Sequence, residues 1–264
     1  MRIRPRHAVF GVVLALASAA ACCLWGCFRA PIPMASVRHD LPNAPEAGAR
    51  CLFVLLPGMG DSAQDFEKKG VVDTIRRSGL SADIIASNAT FGYYIKGKMP
   101  EQLWTDVIGP ARAQRRYEQT WLVGMSMGGF GTLLSAQDHA ADFDGLIALA
   151  PYLGSDEVLD SIRKAGGLEK WTPPPEAPRN EDNYDAQLWR WLKLATKGEV
   201  KAPVMYLGWG KEDKLREADA VLGAAFPKDH VFSTEGGHDW GPWNALLARI
   251  LKEGSVGQAC KPAG

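Results

Sequence analysis

A serine between two glycines is the residue of this chain best suited to act as a nucleophile. Ser126 lies in the pentapeptide Gly-Met-Ser-Met-Gly at residues 124–128, after a short apolar segment and before a helix-compatible one. In a strand–turn–helix unit of this kind, the turn exposes the serine Oγ and the small flanking residues let neighbouring backbone approach it. The pattern therefore predicts a nucleophilic Ser126, with the next backbone N–H, that of Met127, directed at a developing oxyanion.

A serine hydroxyl needs a general base, and the chain has five histidines. His238 follows a strand-like segment, in a glycine-rich loop just before a predicted helix. Loops at the carboxyl ends of parallel strands are where active sites form in α/β sheets. The other four lie in the N-terminal apolar region, before the first strong strand, at the far end of a helix and at the start of a strand: His7, His39, His139 and His230. We therefore predict His238 as the base.

The carboxylate that orients the base is expected between the serine and the histidine, after the penultimate strand. Residues 202–210 are predicted as that strand, and the charged segment 211–214 follows it. We predict Asp213 as the acid, with Glu212 as the neighbouring alternative. An isolated charged segment would indicate only a solvated turn, but its place in the order serine, acid, histidine favours a catalytic role.

A second oxyanion donor is expected in the turn Pro-Gly-Met-Gly-Asp at residues 57–61, which follows the first strong strand. Glycines here let backbone N–H groups face a substrate carbonyl, and we predict the amides of Met59 and Met127 as the oxyanion hole. The alternative is a tight turn without this role, in which Asp61 or Ser62 caps the following helix.

The remaining chain alternates between apolar segments of strand length and segments of helix length, the order expected of βα units. Strands are predicted at residues 51–56, 83–87, 120–125, 145–150, 203–208 and 230–234. Helices are predicted at residues 63–78, 101–116, 127–138, 183–197, 214–225 and 240–252. This order predicts an α/β fold with a largely parallel sheet.

Taken together, these motifs resemble those of the α/β-hydrolases. The matching segments are PGMGD at 57–61, GMSMGG at 124–129, GKED at 210–213 and GGHDWGPW at 236–243. The second and fourth are especially similar to the bacterial esterase branch that includes tributyrin-type and feruloyl-type carboxylesterases and mycolyl acyltransferases. The resemblance implies an α/β-hydrolase fold, with an eight-stranded, mostly parallel central sheet flanked by helices, and ester chemistry. The chain departs from the commonest pattern at Pro57, where many relatives carry His.

The predicted reaction is hydrolysis of a carboxylic ester through a Ser126–His238–Asp213 triad and an acyl-enzyme, with no metal or organic cofactor. Two alternatives stay open: an acyltransferase that uses the same triad, and a non-catalytic exported binding protein on a hydrolase fold. The expected partner is a small-molecule or lipid-like ester. A formal net charge of zero indicates no nucleic-acid binding, and the sequence has no GxGxxG, P-loop or zinc-spaced motif.

Segment 152–200, which is rich in proline and glycine, interrupts the alternation and is predicted to be a small cap insertion over the active site. Four aromatic residues are candidate substrate contacts. Trp189 lies in the insertion, Tyr93 and Tyr94 lie in an aromatic loop after a strand, and Trp240 lies beside the predicted base. Packing in the interior is the alternative for Trp189, and support of the catalytic loop is the alternative for Trp240.

The N-terminal residues indicate export. Arg2, Arg4 and Arg6 precede an apolar segment that extends to about residue 24, which is typical of a secretory signal. An uncleaved membrane anchor is the alternative, and residues 24–27 resemble a lipoprotein box. The protein is therefore expected to be periplasmic, secreted or attached to a membrane.

These features divide the chain into three parts. Residues 1–27 are assigned to a signal peptide or lipoprotein signal, residues 28–49 to a linker with a short edge strand, and residues 50–264 to the hydrolase domain. An oxidising compartment would allow a disulfide between Cys51 and Cys260, stabilising by on the order of 3–5 kcal/mol. Two free buried thiols are the alternative.

Overall fold

The computed structural model describes residues 30–42, 50–256, 260 and 261. The strands within them are β1 Ser36–His39, β2 Cys51–Leu56, β3 Ala82–Ser87, β4 Gln119–Met125, β5 Gly145–Leu149, β6 Val204–Gly210 and β7 Val231–Thr234. The α-helices are α1 Asp65–Lys68, α2 Val71–Arg77, α3 Phe91–Ile95, α4 Met99–Leu103, α5 Gly109–Gln114, α6 Met127–His139, α7 Asp156–Lys164, α8 Tyr184–Thr196, α9 Arg216–Gly223 and α10 Trp240–Glu253. A π-helical turn (Trp104–Ile108) and a 3₁₀ turn (Lys228–His230) complete the described elements.

The strands form one sheet in the order β1-β3-β2-β4-β5-β6-β7. Every neighbouring pair is parallel except β1 and β3, which are antiparallel. The predicted α/β architecture with a mostly parallel sheet is confirmed. The described residues contain seven strands, whereas the resemblance implied eight. The N-terminal side contributes the single edge strand β1, so the sheet already begins within the segment predicted as a linker.

Both faces of the sheet are covered, as expected for parallel strands. All six residues of β2 are buried. Leu52, Val54 and Leu56 pack into the hydrophobic core on the α6 side. Cys51, Phe53 and Leu55 pack into the core on the opposite side, with α2 and α10. Strand periodicity thus sends alternate side chains of one apolar segment into two cores. The parallel pairing places the carboxyl ends of these strands on the same side of the sheet.

Two predicted helices are divided in the structure. The helix predicted at residues 63–78 breaks at Gly70, whose φ of 80° ends the regular helical path. The helix predicted at residues 101–116 contains the π-helical turn, which is followed by Pro110 at the start of α5. Because proline has no N–H, the regular i to i−4 bonding cannot continue through this position.

The predicted cap insertion, residues 152–200, contains α7 and α8. Helix α8 packs against α6, and the fully buried Trp189 donates its Nε1–H to the carbonyl of Leu153 at 2.8 Å. The Asp185 carboxylate accepts from the backbone N–H of Ser155 at 2.9 Å, which ties α8 to the start of α7. These two bonds connect α8 to the residues before α7 within the insertion, and the packing of α8 against α6 holds the insertion to the body of the molecule.

Cys51 and Cys260 form a disulfide, with their Cα atoms 5.4 Å apart. It attaches the C-terminal segment to the first residue of β2, and the Ser81 N–H donates to the Cys260 carbonyl at 2.6 Å. The predicted signal at residues 1–27 lies outside the described residues. In the part of the chain that is described, no helix is both long enough and apolar enough to span a bilayer.

Candidate active site

Ser126 occupies a strained turn between β4 and α6. Its φ of 54° and ψ of −115° lie outside the regions that L-residues prefer. Ser126 directly follows the carboxyl end of β4, and α6 begins at the next residue. Strain at a single non-glycine residue in such a place is typical of a functional position, because the surrounding fold must enforce it.

The flanking glycines are required by close backbone packing. A Cβ on Gly124 would lie 2.1 Å from the carbonyl oxygen of Gly128, and a Cβ on Gly128 would lie 2.0 Å from the carbonyl oxygen of Leu56. Both obstacles are backbone atoms, which cannot move aside as a flexible side chain can. The two glycines therefore allow the turn to approach the end of β2.

His238 lies within hydrogen-bonding distance of both Ser126 and Asp213. The His238 Nε2 atom is 2.8 Å from the Ser126 Oγ, and its Nδ1 atom is 2.9 Å from each carboxylate oxygen of Asp213. An ionised carboxylate only accepts, so Nδ1 carries the proton and donates to Asp213. Nε2 is then an acceptor, and the serine hydroxyl donates to it. This arrangement can remove a proton from the serine oxygen.

The predicted acid, Asp213, is fully buried and oriented by its own turn. Asp213 follows β6, and its Oδ1 accepts from the backbone N–H of Leu215 at 2.8 Å. Glu212, the alternative acid, has a different partner: its carboxylate accepts from the Gly236 N–H at 2.5 Å. Glu212 therefore fixes the loop that contains His238, whereas Asp213 contacts the imidazole itself.

Aromatic rings support the imidazole from the side. The Trp243 ring lies edge-on to the His238 ring at a centroid distance of 5.0 Å, and Trp240 contacts Trp243 at 5.4 Å. Phe66 contacts Trp240 at 5.6 Å from the other side. The Asp239 side chain accepts from the Gly241 N–H at 2.9 Å and so caps α10 directly after His238. Packing and capping together restrict the position of the base.

The two predicted oxyanion donors lie in neighbouring turns. Met127 is the first residue of α6, and Met59 lies in the turn after β2. Among the described residues, neither backbone N–H has a hydrogen-bond acceptor. The turns that contain them are close, because a Cβ on Gly58 would lie 3.7 Å from the Ser126 Cβ. Both amides therefore remain available to a ligand.

A cavity of about 240 Å³ lies in front of the nucleophile. Its lining consists of Gly58, Met59, Asp61, Ser126, Lys214, His238, Asp239, Trp240 and Trp243. The predicted substrate contact Trp240 is among them. Sequence reasoning did not assign Asp61, Lys214 or Asp239 to the cavity, although each lies within four residues of a predicted site residue. Their proximity to the motifs was visible in the sequence. The direction in which each side chain points was not.

The other three candidate substrate contacts lie elsewhere in the structure. Tyr93 is buried in α3, and its hydroxyl donates to the carbonyl of Pro31. Tyr94 stacks on Phe130 at a centroid distance of 6.0 Å, with its hydroxyl buried. Trp189 is fully buried in α8. We therefore correct these three assignments: the residues are packing elements, because the predicted aromatic loop folds as a helix and the insertion packs against α6.

The described residues contain no group of three or more His, Cys, Asp or Glu side chains arranged to hold a metal ion.

The sequence has detectable relatives. The model of the Esterase family, described as "Putative esterase", matches residues 107–253. An acetyl esterase from Caldicellulosiruptor saccharolyticus is 26% identical over 183 residues, which cover 61% of this chain and 62% of that protein. The match thus spans somewhat less than two thirds of the length of this curated relative.

Solved structures share the fold at low sequence identity. Est1E from Butyrivibrio proteoclasticus aligns with a TM-score of 0.59 and 16% identity, covering 86% of this chain and 95% of that one. An S-formylglutathione hydrolase from Staphylococcus aureus aligns with a TM-score of 0.55 and 14% identity, covering 85% and 98%. The structural likeness establishes an α/β-hydrolase fold, and the sequence match establishes that the chain belongs to the Esterase family.

Proposed function

We propose that this protein is an exported serine carboxylesterase that hydrolyses esters with short acyl groups. The observation on which the proposal depends is the series of contacts from Ser126 Oγ to His238 Nε2 at 2.8 Å and from His238 Nδ1 to Asp213 at 2.9 Å. Membership of the Esterase family supports the same chemistry. A binding protein would not need a strained serine in contact with an imidazole at the floor of a cavity.

The reaction begins when the Ser126 Oγ attacks the ester carbonyl carbon while His238 Nε2 accepts its proton. Asp213 stabilises the resulting imidazolium through the proton on Nδ1. The tetrahedral intermediate collapses as the alcohol leaves with the proton from His238, which yields an acyl-enzyme. A water molecule, activated by the same imidazole, then releases the acid and restores the serine.

The carbonyl oxygen becomes negatively charged in the tetrahedral intermediate and needs donors already in position. We assign this role to the backbone N–H groups of Met59 and Met127, which have no acceptor among the described residues. Their place at the start of α6 and in the turn beside it supports the assignment. Two amide donors held in a partly desolvated site stabilise an oxyanion without reorganisation.

Two observations support a short acyl group. The cavity in front of Ser126 has a volume of about 240 Å³, which is small for a long acyl chain. The sequence relative from Caldicellulosiruptor saccharolyticus is named an acetyl esterase. The expected order of kcat/KM for p-nitrophenyl esters is therefore acetate and butyrate well above decanoate.

Export is part of the same proposal. The basic and apolar pattern of residues 1–27 supports it, and so does the disulfide between Cys51 and Cys260. Disulfides persist in oxidising compartments and are rare in the cytosol. The proposed site of action is therefore the periplasm, the cell surface or the medium.

Hydrolysis of p-nitrophenyl acetate by the purified protein tests the proposed activity. We expect Ser126→Ala to lower kcat/KM by about four to six orders of magnitude, because the nucleophile and its base act as a unit. Ser135→Ala is the matched control: this serine lies buried on α6 and its hydroxyl has no hydrogen-bond partner among the described residues. Equal activity of Ser126→Ala and the parent would refute the proposed mechanism.

A further inference from the structure

The turn that contains Met59 also places a carboxylate in the cavity. The Asp61 N–H donates to the Gly58 carbonyl at 3.2 Å and closes the turn, while the Asp61 side chain lines the cavity together with Ser126. A Cβ on Gly58 would lie 3.0 Å from the Asp61 Oδ2 and 3.7 Å from the Ser126 Cβ. The carboxylate and the nucleophile therefore both lie beside Gly58.

The fold does not use Asp61 as a helix cap. The helix after it has no side-chain cap, and the nearest carboxylate bond is that of Asp65, whose Oδ2 accepts from the Ser62 N–H at 2.8 Å and from the Ser62 hydroxyl at 2.6 Å. The Trp240 indole acts to lower the pKa of the Asp61 carboxylate, and among the described residues no other donor bonds this carboxylate. A carboxylate has about four acceptor positions, so most of the acceptor capacity of Asp61 remains for a ligand.

The surroundings of Asp61 make a ligand donor favourable. Burial, and then the negative charge of Asp65, raise the pKa of Asp61, while the Trp240 indole and Lys69 act in the opposite direction. The half-buried carboxylate has thus lost part of its hydration, and no cation forms an ion pair with it among the described residues. A donor supplied by a substrate would replace the lost water contacts.

The cavity favours a neutral donor over a cation. Lys214 is part of the same lining, and within the described residues it forms no salt bridge. A substrate ammonium group would be repelled by Lys214. A substrate hydroxyl can donate to Asp61 without that penalty, and the indole of Trp240 offers an apolar surface beside it.

We propose that Asp61 is a specificity residue that accepts a hydrogen bond from a hydroxyl group close to the scissile ester bond. The enzyme would then select esters of polyols or of hydroxy acids over apolar esters of the same shape. The inference rests on the proposed esterase activity. A site built to bind a hydroxyl discriminates against the analogue without it, because the site's own polar group is left without a partner. For a half-buried carboxylate we expect a contribution of about 10- to 100-fold in kcat/KM.

The test uses two pairs of esters that differ only by exchange of hydroxyl and methyl-sized groups. Glycerol monoacetate and 2-methylbutyl acetate place the difference in the alcohol, and ethyl lactate and ethyl isobutyrate place it in the acyl group. The quantity measured is the ratio of kcat/KM within each pair, so intrinsic reactivity cancels when a variant is compared with the parent.

In Asp61→Leu we expect this ratio to fall by about 10- to 100-fold for at least one pair. Asp61→Asn keeps an acceptor oxygen and should give an intermediate ratio. Asp73→Leu is the control, because Asp73 is exposed on α2 and lies outside the cavity lining. Thermal unfolding and titration with a fluorophosphonate establish that each variant is folded and has an intact nucleophile.

The possible outcomes separate the two proposals. If the parent hydrolyses both members of a pair and Asp61→Leu leaves both ratios unchanged, the role of Asp61 is refuted while the esterase activity stands. Acetylcholine and its neutral analogue 3,3-dimethylbutyl acetate form a third pair, which differs in charge. If Asp61→Leu lowers the kcat/KM ratio of this pair more than the ratios of the hydroxyl pairs, the preference for a neutral donor is wrong. If the parent hydrolyses no ester, the proposed function itself fails.

Discussion

Asp219 is a buried carboxyl group without compensating contacts. It lies on α9, its side chain is fully buried, and neither oxygen has a hydrogen-bond partner among the described residues. Burial first, and then the negative charge of Asp213, raise the pKa of Asp219 well above its ordinary value. The folded protein therefore keeps a proton on Asp219 at pH values where an exposed aspartate is ionised.

The proton on Asp219 makes stability depend on pH. In the unfolded chain this residue ionises near its ordinary pKa of 3.8, whereas the folded protein retains the proton to higher pH. Its contribution to the free energy of unfolding is therefore complete below about pH 4 and is lost as the pH rises toward the folded-state pKa. We expect Asp219→Leu to be more stable than the parent by about 1–3 kcal/mol at pH 8, with a smaller difference at pH 4.

Urea unfolding of the two proteins at both pH values measures this difference. Asp219→Asn, which retains the shape of the side chain, should show the same trend with pH. Asp73→Leu provides the control at an exposed position. A variant at position 219 that is less stable than the parent at pH 8 would contradict the assignment of a neutral, uncompensated carboxyl.

Among the larger elements, the β4–turn–α6 unit is the one that determines whether a site forms. Its glycines are needed for contact between backbone segments, because a Cβ on Gly128 would approach the Leu56 carbonyl to 2.0 Å. We expect Gly128→Ala to destabilise the protein by at least about 3 kcal/mol, since core overpacking against immobile atoms requires the backbone to shift. Thermal or urea unfolding checks this value.

Gly237→Ala is the matched control for this substitution. A Cβ at Gly237 would meet its nearest neighbours, the Glu212 carbonyl and an Asp239 carboxylate oxygen, at 3.9 and 4.0 Å, which are ordinary contacts. Its stability should change by less than about 1 kcal/mol. Similar losses in the two variants would mean that general glycine replacement, and not the close approach at Gly128, determines the effect.

The secondary-structure elements also show what could be predicted from the sequence. The strand β2 was predicted with its observed bounds because six consecutive apolar residues can be buried on both faces of a sheet. The positions of Ser126, Asp213 and His238 followed from turns at the ends of strands, and their short distances follow from the topology. Trp189 was misassigned because an apolar aromatic residue is equally suited to a pocket and to a core.

Contacts between distant segments were beyond what the sequence could supply. Trp240 and Asp61 both line the cavity, and the sequence assigned Asp61 only to a turn or a helix cap. Whether a carboxylate caps a helix or turns toward a cavity depends on backbone geometry in the folded state. In this protein Asp61 lines the cavity, and Asp65 accepts from the Ser62 N–H before α1.

In the whole molecule, the disulfide and the candidate site lie at opposite ends of the central strands of the sheet. Cys51 is the first residue of β2, whereas Leu56, its last residue, pairs with Gly124 beside the nucleophile. We expect the Cys51→Ala, Cys260→Ala double variant to lose about 3–5 kcal/mol of stability, because the bridge closes a long loop in the unfolded chain. Its kcat/KM for p-nitrophenyl acetate should remain within about twofold of the parent.

Unfolding with and without a reductant checks the contribution of the bridge. The parent should lose stability on reduction and approach the double variant, which should not respond to the reductant. Equal stability of the oxidised and reduced parent would show that the bridge contributes nothing. A large loss of activity in the folded double variant would show that the disulfide end of the strands is coupled to the candidate site at the other end.

The nucleophilic role of Ser126 is tested most directly by covalent labelling of the folded protein with a fluorophosphonate, followed by mass spectrometry of its peptides. We expect one equivalent of label on Ser126 and a labelling rate at least about a thousandfold lower in His238→Ala, since the imidazole activates the serine oxygen. Label on another residue, or no label on folded protein, would contradict that role.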